Sequence, residues 1–252
     1  EVVLGPDLGQ CCGGRVTLAI EVLDGADLDT VRALAERERD GPFLTETPTT
    51  GATRTRRIRA DAPIAVGLGA GGVLIERFGD DRRPLSLFGA GHLGRALVLA
   101  LAPLPFRVDW IDGRDEAFPA AHPGNAVARR LDDPLRAVAR APAGGFMLAL
   151  THDHALDLAL VDAALRRPEI AWIGCVGSKS KRARFSSKFR EMGHTDAAIR
   201  RMVMPVGAGG PRSKAPAVIA AAIAVELLVA DESARAGRPN VFAEVSTSEV
   251  GA

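Results

Sequence analysis

Five short stretches of this sequence combine residue types that can do chemistry. The first is Gly89-Ala90-Gly91-His92-Leu93-Gly94. A Gly-x-Gly-x-x-Gly turn between a strand and a helix lets the backbone approach a phosphate, and the helix start offers free N–H groups and a partial positive charge. Gly89 permits the tight turn, Gly91 the close approach, and Gly94 the packing of helix on strand. The motif gains weight from Asp112, an acid about 20 residues on at the end of the next apolar run. His92 reads equally as a solvent-facing helix start or as a ligand contact.

The second stretch is Thr151-His152-Asp153-His154. Two histidines and a carboxylate can shuttle protons or bind a metal; otherwise Asp153 caps the next helix and His152 and His154 stand in solvent. The third, Gly174-Cys175-Val176-Gly177-Ser178-Lys179-Ser180-Lys181-Arg182, repeats the anion-cradle pattern, with Ser178 and Lys179 at the helix start. Cys175 there reads as a small buried apolar residue. The fourth, Pro205 to Lys214, is a glycine-rich loop that either closes over a crevice or merely connects. The fifth is Gly9-Gln10-Cys11-Cys12-Gly13-Gly14. Glycines beside paired cysteines leave the sulfurs approachable, so a functional thiol is expected, with a strained vicinal disulfide or simple packing as the alternatives.

The elements that must position these groups alternate after a charged stretch, Gly79 to Pro84, which marks a boundary between residues 1–79 and 84–252. Strands are expected at 85–88, 107–111, 127–128, 145–150 and 169–176. Helices are expected at 92–101, 132–140, 154–166, 179–192 and 213–230. This predicts an α/β domain, a Rossmann-like doubly wound parallel sheet with every strand-to-helix loop on one edge. A smaller α+β domain precedes it. There Arg15 to Leu23 reads as a strand and Asp27 to Arg39 as a helix capped by Asp27, with an apolar stripe of Leu28, Val31, Leu34 and Ala35. Phe43 to Glu46 and Gly72 to Arg77 read as strands. Thr47 to Ala62, with Arg54, Arg56, Arg57 and Arg59, reads as a mobile basic loop or an edge hairpin. The sequence opens Glu1-Val2-Val3-Leu4 as if within a strand, so part of an N-terminal domain is expected to precede it.

Taken together, Gly9 to Gly14, Leu87 to Gly94, Leu150 to His154 and Ile173 to Arg182 resemble the xanthine dehydrogenase accessory proteins, the XdhC/CoxI family. The Gly-Gln-Cys-Cys-Gly-Gly element is the specific part. The resemblance implies a molybdenum cofactor (molybdopterin) chaperone. Such a protein holds the cofactor while a cysteine desulfurase sulfurates it, then delivers it to xanthine dehydrogenase or a related molybdenum hydroxylase. It further implies that Cys11 or Cys12 contacts the metal; Cys12, which abuts Gly13-Gly14, is favoured. The glycine loop at 207–212 departs from the more regular turn of relatives.

Bulk properties set the outer limits. Hydrophobic residues make up 47% and charged residues 25%, and 32 basic against 31 acidic residues leave a net charge of +1. No basic excess calls for nucleic acid, so an anion must be gripped locally. No apolar run reaches the ~20 residues of a membrane span; the longest, Ala215 to Ala230, is interrupted by Glu226. With three cysteines, two adjacent, and no secretory signal, a reducing, cytoplasmic setting is expected, and a homodimer is possible. Two rival functions are an NAD(P)-dependent oxidoreductase, with Asp112 on the ribose and His152 or His154 as acid/base, and a nucleotide-binding regulatory module.

Overall fold

The computed structural model describes residues 2–3, 14–18, 20–50, 55–60, 66–69, 71–79 and 81–237. The chain divides into two compact units, Glu1–Asp81 and Arg82–Ala252. Among the described residues no helix is long and apolar enough to cross a membrane.

In the first unit, β1 (Val2–Val3) pairs antiparallel with β2 (Arg15–Val16). The strand expected over Arg15 to Leu23 therefore stops at Val16. Its alternating Leu18, Ile20 and Val22 are 62%, 79% and 85% exposed, so among the described residues no partner strand or covering layer fixes the pattern. Helix α1 (Leu28–Arg39) begins after a 3-10 turn, and Asp24, not Asp27, supplies the side-chain cap, closing a reciprocal box with Asp27. Of the expected stripe only Leu34 is buried. Strands β3 (Phe43–Pro48), β4 (Arg57–Ala60), β5 (Gly67–Gly69) and β6 (Val73–Phe78) form an antiparallel sheet in the order β4-β3-β6-β5. The basic stretch thus contributes an edge strand. Arg56 bonds to Glu21 and Glu76, and Arg59 to Glu46. Arg54 lies outside the described residues.

The second unit runs β7 (Arg83–Phe88), α2 (His92–Ala100), β8 (Phe106–Asp112), β9 (Ala126–Arg130), α3 (Leu135–Arg140), β10 (Phe146–Ala149) and α4 (His154–Leu165). It continues with β11 (Trp172–Cys175), α5 (Lys179–Glu191), α6 (Asp196–Arg200), β12 (Met202–Val203) and α7 (Pro216–Arg235). All six strands are parallel, in the order β9-β8-β7-β10-β11-β12. This is the doubly wound order of dinucleotide-binding domains, and its switch point lies between β7 and β10. Alternate strand residues serve opposite faces. Leu85, Leu87, Val108, Trp110, Phe146 and Leu148 pack with α2 and α7. Phe88, Met147, Ala149, Ile173 and Cys175 pack with α4 and α5 on the other face.

The departures from expectation are local. The last helix starts at Pro216, not Ser213, because proline suits the first helical position and pushes Ala215 out of the helical region, to ψ 130°. It runs on past Ala230 to Arg235, and Gly237, at φ +63°, follows its end. The short α6 and β12 carry too few residues for a periodicity to register.

Candidate ligand crevice at the carboxyl edge

The turn after β7 is fastened by the neighbouring strand. Gly89 N–H donates to Ile111 O at 2.8 Å, and Trp110 Nε1 donates to Gly89 O at 3.1 Å. Ala90 N–H donates to Asp112 Oδ2 at 2.8 Å, and Arg95 Nε donates to Ala90 O at 3.2 Å. Gly89 has φ +112°, and a Cβ there would lie 2.6 Å from Leu150 O. A Cβ on Gly94 would lie 2.1 Å from Gly89 O. Both glycines are required by the protein itself. Gly91 differs: its φ is −72°, and a Cβ on it would meet nothing within 4 Å. The middle glycine faces open space, the place where a ligand would approach the backbone.

Three helices open on this edge next to the switch point, and their N-termini differ. Asp153 caps α4, accepting from Ala155 N–H at 2.7 Å and Leu156 N–H at 3.2 Å. Those backbone bonds hold its carboxyl below the usual range. Ser178 caps α5, accepting from Lys181 N–H at 3.1 Å. The N-cap of α2 is Gly91, which has no side chain to offer. The first N–H groups of a helix have no intrahelical acceptor, so of these three starts α2 is the one left to an external anion.

Asp112 serves the turn. Its four acceptor directions are met by Ala90 N–H, by Arg114 N–H and by the Arg114 guanidinium, at 2.8 to 3.1 Å. Burial pushes its pKa up, but the bonds from Arg114 and Ala90 outweigh burial and hold it below the ordinary value. A ribose hydroxyl would have to displace one of these donors.

The β10 loop meets the glycine turn through Leu150, whose N–H donates to Phe88 O at 2.8 Å. Its two histidines part company. His152 is exposed in the loop beside the switch point. His154 is the first residue of α4; its Nδ1 lies 3.2 Å from Arg184, and with Arg184, Phe185 and Lys188 it lines a hollow of about 290 Å³ on the α4–α5 seam. His92 is exposed at the start of α2, and Lys179 is exposed at the start of α5. The Ser178 hydroxyl is occupied as a cap and also lies 2.9 Å from Ser180 Oγ.

Sequence reasoning missed the group that holds the floor. Asp157, fully buried, accepts from Lys181 Nζ at 2.6 Å and from Thr151 Oγ1 at 2.7 Å. Lys181 Nζ also donates to Val176 O at 3.0 Å. The pair ties the loops after β10 and β11 together. The available signal was an acid on the apolar face of α4, one turn from Leu160 and Val161. Beneath it, Cys175 is buried; desolvation and the nearby Asp157 push its thiol far above the usual value, so it stays a protonated packing residue as expected.

Cys11, Cys12 and Gly13 lie outside the described residues, and Gly14 is exposed ahead of β2. Among the described residues no group of three or more His, Cys, Asp or Glu is placed to hold a metal ion.

Residues 85–227 match the family described as the XdhC Rossmann domain. A curated relative, uncharacterized protein YqeB of Escherichia coli K12, is 30% identical over 188 residues, which are 72% of this chain and 34% of the relative. The chain therefore spans about a third of that relative's length. A solved structure of a xanthine dehydrogenase from Bacillus halodurans superposes with a TM-score of 0.64 at 18% identity, covering 83% of this chain and 66% of the other. At that identity the likeness concerns the fold.

Proposed function

This chain belongs to the XdhC family, and on that premise we propose that it is a molybdenum-cofactor chaperone, which holds the cofactor during sulfuration and passes it to xanthine dehydrogenase or a related molybdenum hydroxylase. The observation that carries this reading is the start of α2: an uncapped helix N-terminus beside a glycine whose Cβ direction is empty, at the switch point of the sheet. The cofactor is a pterin with a phosphate tail. The N–H groups of residues 91–94 would hold that phosphate. His152, exposed on the adjoining loop, would supply a donor or acceptor to the polar edge of the ligand. Cys11 or Cys12 would supply a soft sulfur to the metal, as the family motif implies. The bound cofactor would supply the hydroxylation chemistry of the client enzyme; the role assigned to this chain is retention and delivery. A cysteine desulfurase and the client hydroxylase are the partners this role requires.

The oxidoreductase reading is less well supported. It needs Asp112 for a ribose, and Asp112 is already saturated by Ala90 and Arg114. The test is direct. Purified protein is incubated with molybdenum cofactor released from a molybdoenzyme and passed through a sizing column. Molybdenum and pterin co-eluting with the protein in equal amounts supports the proposal. NADH or NADPH binding without cofactor binding overturns it in favour of a nucleotide module.

A further inference from the structure

Helix α7 and the loop over residues 207–211 enclose a groove of about 470 Å³. One wall is the loop's glycines and Pro211. The other is the small-residue face of α7, including Ala217, Ala221 and Val225. The wall is set by close packing: a Cβ on Gly210 would lie 2.4 Å from that of Ala222, and Gly207 has φ +71°. Val225 is 59% exposed, so the described residues leave this apolar face uncovered.

The one ionisable residue in this lining is Glu226, and it is 4% exposed. Its Oε2 accepts from Gly207 N–H at 2.7 Å. Its Oε1 is buried and receives no hydrogen bond from any of the described residues. A buried carboxylate oxygen without a donor is unfavourable, and a purely apolar occupant of the groove would leave it so. An occupant that brings an N–H donor and a positive charge removes both the missing hydrogen bond and the uncompensated charge.

We propose that this groove binds a small organic cation, an ammonium or amidinium group on an apolar body, with the cationic group directed at the Glu226 carboxylate and the apolar body against α7. The site belongs to the Rossmann unit but uses none of the glycine-turn residues, so it stands or falls independently of cofactor binding. Burial, opposed by the Gly207 N–H, lifts the Glu226 carboxyl to about 7, which agrees with an anion that lacks a counter-charge.

The experiment titrates the full chain with benzylammonium chloride and, separately, with neutral benzyl alcohol, following the methyl resonances of Val218 and Val225 by NMR. Saturable shifts at both residues with benzylammonium, an affinity about tenfold or more weaker for the alcohol, and a similar loss in Glu226→Gln are expected. Ala221→Trp, an exposed substitution that fills the groove, abolishes the shifts. Thermal unfolding of each variant confirms that it is folded. Absence of saturable binding in the parent, equal binding of the alcohol, or undiminished binding in Glu226→Gln overturns the proposal.

Discussion

Asp112 Oδ2 lies 2.8 Å from the backbone nitrogen of Ala90. The acid that ends β8 is thus a strut for the phosphate-type turn. Asp112→Ala leaves the Ala90 N–H and the Arg114 guanidinium without their acceptor, and a loss of about 1–3 kcal/mol is expected in urea unfolding. The sign of the pH effect follows from the depressed pKa. The stabilising contribution is complete above the ordinary value, near pH 4, and is lost as pH falls through the lower folded value. The variant should therefore lie below the parent at neutral pH and converge with it in acid. Parallel curves down to pH 2 would contradict this role.

The three glycines of the turn should separate cleanly. Gly89→Ala and Gly94→Ala place a Cβ against backbone at 2.6 and 2.1 Å, and each should lower stability by roughly 2–4 kcal/mol. Gly91→Ala should stay within about 0.5 kcal/mol of the parent. Equal destabilisation at all three positions would mean that Gly91 is also held by the protein.

Lys181→Met removes the partner of a fully buried Asp157 and should cost about 3–5 kcal/mol. Adding Asp157→Leu should recover only part of that loss, because Thr151 N–H and Oγ1 then lose their acceptor. A double-mutant cycle measures the coupling; additive losses would show that the pair does not join the two loops.

How much of this was legible in the sequence follows from where each signal resides. The glycine turn and its following helix were readable because three glycines stand at a fixed spacing between an apolar run and a helix, two of them, Gly89 and Gly94, answering a packing or backbone requirement. The sheet was readable because short apolar runs alternate with helical ones. Asp157–Lys181 was not, since two residues 24 apart declare no contact until the topology brings α4 and α5 side by side. Spacing singled out Asp112 as a ribose-holding acid, but its bonds to Ala90 and Arg114 depend on side-chain geometry that spacing does not encode. Leu18, Ile20 and Val22 alternate like a strand, yet alternation specifies a strand only where another layer covers one face. The thiol motif of Cys11 and Cys12 lies outside the described residues, and its role rests on the family resemblance.

Glu226→Gln predicts a pH signature of opposite sign to Asp112→Ala. The folded carboxyl is raised from 4.5 to about 7 by burial, against the pull of the Gly207 N–H. Below about pH 4.5 the parent has its full stability; as pH rises to about 7 it must ionise a buried acid, and stability falls. The glutamine variant keeps an acceptor for Gly207 N–H and escapes this loss. It should match the parent at pH 4.5 and exceed it at pH 8 by on the order of 2–3 kcal/mol. A variant less stable than the parent at pH 8 would contradict the unpaired buried carboxylate.

The central claim is that the start of α2 seats the phosphate of the molybdenum cofactor. Gly91→Val tests it most directly, because a Cβ there meets no protein atom within 4 Å and the branched side chain projects from it into the space a ligand would use. Parent and variant are loaded with released cofactor, and molybdenum and pterin retained after gel filtration are measured against circular dichroism and urea midpoints. The account predicts unchanged unfolding with cofactor retention lost by tenfold or more, on the order of 1.4 kcal/mol or greater. Equal retention by a folded Gly91→Val protein would contradict it and place the ligand elsewhere.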